Sequence, residues 1–380
     1  MATAIPFQQF MGGIAVSTVL AMPAVAAEDD YETNADYRGL AVAIDRQLPK
    51  SPKDRKRRMQ EAWVRLSYVV TPNGRAIDPI VVNSSGGVDF ENEVRKVTED
   101  WRFEESVTGE ELPYNVVDTR FTIRGKGKGT TRKFARYSRH IMKSLHTGNV
   151  EIARKHADET VRIGGWNLYE STILWLMLGR IEGAEGDDVG KLDAYLRALE
   201  VGDERSLQRD ARLDLLEKIF ELQADFGQYA AALNTYERLE AVNGSHLAEK
   251  RLAPRVAEVR ELFETLDTVV ARANIAAPCN CKEGDALWSY VPARRIFSFA
   301  NINGNVERFE ARCERQRISA DVVIGRTWSL PDEWGACQVF VFGSDGATFD
   351  FLGHARGSVG AGNEEAVAEN HVPDSGNPSQ

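Results

Sequence analysis

The sequence lacks the residue sets that catalysis needs. Its six histidines are His140, His146, His156, His246, His354 and His371, and none falls in a His-Glu-x-x-His string. That spacing would put two zinc ligands on one helix face, so a zinc-protease site is excluded. Gly343-Ser344-Asp345-Gly346 lacks the glycine spacing of a nucleophile elbow and reads as a tight turn. Gly125-Lys126-Gly127-Lys128-Gly129 lacks the Gly-Lys-Ser/Thr ending of a phosphate-binding loop and reads as a linker. No Asp/Asn ladder matches an EF-hand. No catalytic residue, metal or cofactor is therefore expected. Positive charge is also in deficit, with 57 acids against 47 bases and a formal charge of −10. Nucleic acid is not an expected partner of such a chain. After residue 27 no apolar run is long enough to span a bilayer.

Charge is missing altogether from Met1 to Ala27. Phe10 to Ala26 is apolar or small, Pro23 precedes Ala24-Val25-Ala26, and Glu28-Asp29-Asp30 follows. This is the pattern of a secretory signal cleaved after Ala26 or Ala27, and it predicts export to the periplasm. Left uncleaved, the same stretch would anchor the chain in the inner membrane, facing the periplasm. Cysteine is scarce and confined to the last third, at Cys279, Cys281, Cys313 and Cys337. In an exported chain an even set predicts two disulfides, with three pairings open. Pairing Cys279 with Cys281 would be strained, so each is expected to join Cys313 or Cys337. A zinc site is the alternative, but Cys-Asn-Cys is not a usual zinc spacing.

What is present is enough apolar residue for globular cores, 43% of a 380-residue chain, which suits two or three domains. The expected class is α+β and multidomain. Residues 28–60 read as a linker with an amphipathic helix over Tyr37 to Leu48, ending in the bases Lys50, Lys53, Arg55, Lys56, Arg57 and Arg58. Residues 61–125 alternate like a half-buried sheet with one helix. Trp63 to Val70 is a strand, Pro72-Asn73-Gly74 a turn, Ala76 to Asn83 a strand, Val88 to Trp101 a helix and Val116 to Ile123 a strand. Phe90, Val94, Val97 and Trp101 share one helical face.

Residues 130–273 read as helical throughout, with an irregular repeat near Gly148, Asp187 and Gly227 at a spacing of roughly 40. The pattern is similar to tetratricopeptide repeats, whose usual unit is about 34 residues. Residues 277–352 read as a small disulfide-stapled β-sandwich. Hairpins are expected at Asn303-Gly304 and at Ser344-Asp345-Gly346, with a strand from Val322 to Leu330. Its many aromatics are expected to fill the core, a ligand face at Trp328 and Trp334 being the alternative. Residues 353–380 read as a disordered tail.

Trp63-Val64-Arg65-Leu66, Asn73-Gly74-Arg75-Ala76, Val81-Val82-Asn83-Ser84-Ser85-Gly86, Phe90-Glu91 and Trp101-Arg102-Phe103 together resemble the TonB C-terminal domain family. The resemblance implies a periplasmic ββαβ domain whose last strand pairs with an extended segment of an outer-membrane receptor, by strand addition. Carried over here, the docking edge is Val116, Val117, Asp118, Thr119, Arg120, Phe121, Thr122 and Ile123; the alternative is a shielded structural strand of the same sequence, because an exposed edge is normally protected. Family members usually carry a histidine-bearing membrane helix, a proline-rich spacer and Pro after Trp-Arg-Phe. Here Met1 to Ala27 has no His, no such spacer is present, and Glu104-Glu105 follows Phe103. These departures favour a periplasmic adaptor that binds envelope proteins. The alternative is a membrane-anchored energy transducer supporting outer-membrane receptor transport. A basic stripe runs from within the last strand onward: Arg120, Arg124, Lys126, Lys128, Arg132, Lys133, Arg136, Arg139 and Lys143, with no acid between. It is expected either to meet an acidic partner or anionic envelope surface, or to dock on the protein's own acidic helices.

Overall fold

The computed structural model describes residues 31–54, 60–85, 87–123, 129–242, 244–276 and 286–357. Residues 1–27, where a secretory signal is expected, Arg55 to Arg58, Cys279, Cys281 and most of the expected tail lie outside them.

The ββαβ order expected from the sequence is present. Strand β3 (Ala62–Val70) turns into β4 (Ala76–Ser84), helix α1 (Val88–Asp100) follows, then a two-residue strand β5 (Arg102–Phe103) and β6 (Leu112–Ile123). Ala62, Val64, Leu66, Tyr68 and Val70 alternate onto one face, where they meet Phe90 and Val94 of α1 and Trp101 just beyond it. The segment before this domain departs from expectation. Tyr37 to Leu48 is not helical; it contributes to strands β1 (Tyr31–Gly39) and β2 (Ala43–Asp45). The reason is a period of two. Thr33, Ala35 and Tyr37 are half-buried while Glu32, Asn34, Asp36 and Arg38 are exposed. The sheet order is β1-β6-β3-β4.

Three helical hairpins and a last helix come next: α2 (Arg132–His146) with α3 (Val150–Ile163), α4 (Leu168–Glu185) with α5 (Asp188–Val201), α6 (Arg209–Asp225) with α7 (Tyr229–Glu240), then α8 (His246–Thr265). The three sites picked out by the repeat are the hairpin turns. Gly148 (φ 73°) and Gly227 (φ 71°) take the left-handed conformation that closes a helix, and the Asp187 side chain caps α5. The helices stop earlier than expected, because Thr268–Asn274 forms strand β7. Val269, Ala271 and Ala273 alternate there as buried residues. Among the described residues no helix is long and apolar enough to cross a membrane.

The C-terminal module is a sandwich of two four-stranded sheets, β12-β9-β14-β7 and β11-β10-β13-β8. The strands are β8 (Leu287–Tyr290), β9 (Ile296–Asn303), β10 (Val306–Cys313), β11 (Arg317–Asp321), β12 (Thr327–Ser329), β13 (Cys337–Gly343) and β14 (Thr348–His354). Neither expected hairpin forms. β9 and β10 lie in different sheets, as do β13 and β14. Both turns are corners between the layers, because Phe297 and Phe299 of one sheet pack on Phe309 of the other, at 5.4 and 5.5 Å between ring centres. The expected strand Val322 to Leu330 is broken, and Thr327–Ser329 is the part of it that forms a strand. Trp328 is buried edge-on to Phe309, so it fills the core, and Trp334 packs at the core margin.

Cys313 and Cys337 face each other across β10 and β13 and are bonded to one another. This overturns the expectation that each would take Cys279 or Cys281; adjacent antiparallel register makes the direct bond available. The bridge closes a separation of 24 residues. Replacing both cysteines by alanine is expected to lower stability by about 3 kcal/mol, measured by denaturant unfolding. A second stability effect follows from His354. Its Nδ1 lies 3.1 Å from Thr268 Oγ1 and its Nε2 2.8 Å from Ser298 Oγ. Burial, then the nearby Arg294, push its pKa below the ordinary 6.5. A depressed folded-state value means stability held above 6.5 and lost as pH falls below it. His354→Gln is expected to flatten the fall of Tm with acidification; an unchanged slope would assign it to other groups.

β3 is buried on both faces. Opposite its core face, Trp63 packs on Leu168 and Val201 of the helical module. Further along, the Ser67 hydroxyl accepts from Arg312 of the sandwich, while Ile80 and Val82 of β4 pack on Leu287, Phe340 and Phe342. The helices therefore cover one end of this face and the sandwich the other. They leave the β1 end of the sheet unpaired among the described residues.

Candidate functional site around strand β6

The expected docking residues lie on β6, but β6 is not an edge. It pairs with β3 on one side and with β1 on the other, in register from Tyr31↔Ile123 to Gly39↔Asn115. An unpaired strand would expose a row of N–H and C=O groups, and the chain's own N-terminal segment satisfies them. Gly39 (φ 142°) ends this ladder; a Cβ there would lie 2.4 Å from Asn115 Oδ1 and 2.7 Å from Tyr114 O.

The two faces of β6 do different work. Val117, Thr119, Phe121 and Ile123 are buried on the α1 side, and Val116, Asp118, Arg120 and Thr122 alternate to the other. Asp118 takes two hydrogen bonds from Arg65, at 2.8 and 3.1 Å, and one from Arg38 of β1 at 2.7 Å. Arg65 also donates to Glu200 of α5 at 2.7 Å, and Glu200 is shared with Arg238 of α7 at 3.2 Å. Burial opposes charge on both Arg65 and Glu200. Glu200 and Asp118 nevertheless hold the Arg65 guanidinium above its usual value, and Arg65 and Arg238 hold the Glu200 carboxyl below its own. A chain of charges thus runs from β1 across the sheet into the helical hairpins. Arg120 donates to the carbonyls of Glu200 and Val201, both at 2.9 Å, and so caps the C-terminal end of α5. Glu61 closes the same seam by accepting from the backbone of Ile123 and Leu168, each at 3.1 Å; burial pushes its carboxyl up, against those two bonds.

On the core side, Tyr37 of β1 meets Trp101 edge-on at 5.6 Å between ring centres, and the Arg46 guanidinium lies 3.8 Å over the Tyr37 ring. Ala35 stands opposite Thr119, whose hydroxyl is fully buried and has no hydrogen-bond partner among the described residues. Sequence reasoning missed Tyr37, Arg38 and the whole of β1. The signal was the Thr33, Ala35, Tyr37 alternation.

The basic stripe is split. Arg120 is turned inward. Arg132, Lys133, Arg136, Arg139 and Lys143 stand exposed along α2 and form no ion pair with a described residue. Lys133 lies 5.2 Å over the Trp166 ring. Arg124, Lys126 and Lys128 fall outside the described residues.

Residues 47–125 match the family model for the Gram-negative bacterial TonB protein C-terminal. This segment is therefore a TonB C-terminal-type domain, with the helical hairpins and the sandwich lying beyond the match. A solution NMR structure of the Pseudomonas aeruginosa TonB CTD matches at 24% identity, over 27% of this chain and 93% of that one, with a TM-score of 0.19. No curated protein matches the chain.

Proposed function

We propose that the protein is a non-enzymatic interaction module of the cell envelope, working in the periplasm as an adaptor. Its TonB-type sheet takes up an extended segment of an envelope partner, such as an outer-membrane receptor, alongside β6. The observation that carries this reading is the β1–β6 ladder. β6 holds an added antiparallel strand of nine residues from a distant part of the chain. β1 is the resident of that place, and its exposed outer face makes it the least buried strand of the sheet. An incoming strand in the same register regains the same backbone hydrogen bonds, so exchange is decided by side chains. The exposed basic row of α2 gives a second contact for an acidic partner or an anionic envelope surface, and high salt is expected to weaken it.

The test is photo-crosslinking in cells from a photoreactive residue placed at Thr122. An adduct with an envelope protein is expected. It should vanish when β1 is locked to β6 by the cysteine pair Ala35→Cys and Thr119→Cys, which are opposite in register. An adduct that survives the lock, or none in the unlocked protein, would overturn the assignment.

A further inference from the structure

β1 fits its place imperfectly, and the misfit describes a better occupant. Thr119 is 0% exposed, and its hydroxyl has no hydrogen-bond partner among the described residues. The residue opposite is Ala35, which has nothing to offer it. A buried hydroxyl without a partner is an expense that a strand bearing a hydroxyl at that position removes. Cross-strand Thr–Ser and Thr–Thr pairs form such bonds readily. The next core-facing position, held by Tyr37 opposite Val117, is an aromatic slot: Trp101 stands edge-on to it and the Arg46 guanidinium covers its ring. On the other face Arg38 reaches Asp118 at 2.7 Å, and Asp118 is held ready by Arg65.

We propose that the partner segment read at β6 is an antiparallel strand carrying serine or threonine opposite Thr119, an aromatic residue opposite Val117 and a cationic residue immediately after it. The partner class is thus an extended peptide of the form hydroxyl, any, aromatic, basic. β1, with Ala-Asp-Tyr-Arg at these places, is a weakened copy of it that holds the site until a better strand arrives. This rests on the strand-addition reading given above. Because β1 is tethered, its effective concentration is high, on the order of millimolar for a short flexible link. The better fit is what lets a separate chain compete.

The experiment uses the full chain with Tyr37→Ala and Arg38→Ala to loosen β1, and a fluorescent peptide of residues 31–39 as probe. Hydrogen exchange of the β6 amides reports whether β1 has been released. The parent peptide is expected to bind, and the Ala35→Ser peptide to bind about fivefold tighter or more. That gain should disappear on protein carrying Thr119→Val. The Arg38→Glu peptide is expected to bind about fivefold weaker or worse, and to regain part of this on Asp118→Asn protein. Parent binding with no gain from Ala35→Ser and no loss from Arg38→Glu would overturn the recognition pattern and leave strand addition standing. No peptide binding while hydrogen exchange shows β1 released would overturn both.

Discussion

Arg312→Ala is expected to lower the unfolding free energy by about 3–5 kcal/mol, among the largest effects of any single change in this protein. Arg312 is 1% exposed. Its guanidinium donates to Glu310 at 2.7 Å, to the Ser67 hydroxyl at 3.3 Å and to the Asp78 carbonyl at 3.0 Å, and it lies 5.4 Å over the Phe340 ring. Burial pulls its pKa down, with Glu310 acting against that. Truncation would take the buried partner from Glu310, leaving it only the more exposed Arg308 at 3.6 Å, and would strip the guanidinium from the Ser67 hydroxyl and the Asp78 carbonyl of the TonB-type sheet. Breaking one half of a buried pair is far more damaging than replacing the whole pair with apolar groups. Glu310→Leu with Arg312→Met is therefore expected to recover most of the loss. Denaturant unfolding of the single and double variants decides it. If the double variant is as unstable as Arg312→Ala, the bonds to Ser67 and Asp78 dominate instead.

Trp101→Ala is expected to cost about 3–5 kcal/mol, the range for removing a large aromatic from a core. Trp101 is 1% exposed, sits edge-on to both Tyr37 and Tyr68, and donates from its indole nitrogen to the Gln47 carbonyl at 2.9 Å. Its loss leaves a cavity beneath β1 and an orphaned carbonyl. A second consequence is specific to its place. Because Trp101 walls the Tyr37 slot, the Ala variant should lose amide protection in β1 before the rest of the sheet. Trp101→Phe should keep most of the packing but lose the Gln47 bond, for a milder effect of about 1–2 kcal/mol. Hydrogen exchange that opens β1 no sooner than β3 would refute the proposed role in holding β1.

The TonB-type domain was legible because its strands and helix keep their periods cleanly. Phe90 and Val94 recur at helical spacing, and Ala62, Val64 and Leu66 at strand spacing. The helical hairpins were legible at their turns, where Gly148 and Gly227 mark helix ends. The failures share a cause. A turn signal such as Asn303-Gly304 says that the chain reverses, not whether it returns within a sheet or crosses to the facing one. In a sandwich both routes bury the same Phe297, Phe299 and Phe309. The β1 segment failed differently. Its apolar residues are small or polar-tipped, so Thr33, Ala35 and Tyr37 gave a weak alternation that Leu40, Ala41, Val42 and Ile44 overrode. Leu40, Val42 and Ile44 are in fact 50%, 57% and 70% exposed. Nor could the sequence show which segment would cover β6, since the covering strand lies 76 or more positions earlier.

The placing of β14 between β9 and β7 also governs when the protein can finish folding. Helix pairs such as α6 and α7 join neighbours in sequence and can assemble as soon as both have emerged. The sandwich cannot, because the strand that joins β7 to β9 is the last of the described strands. Until Thr348–His354 arrives, the edges of β7 and β9 that it joins are open, and Ala271, Phe297 and Phe299 lack part of their cover. Such exposed edges are the usual starting point of misassembly and proteolysis. A premature stop just before β14, which removes Thr348 and everything after it, should therefore leave little protein to detect, although it spares every residue of the TonB-type domain.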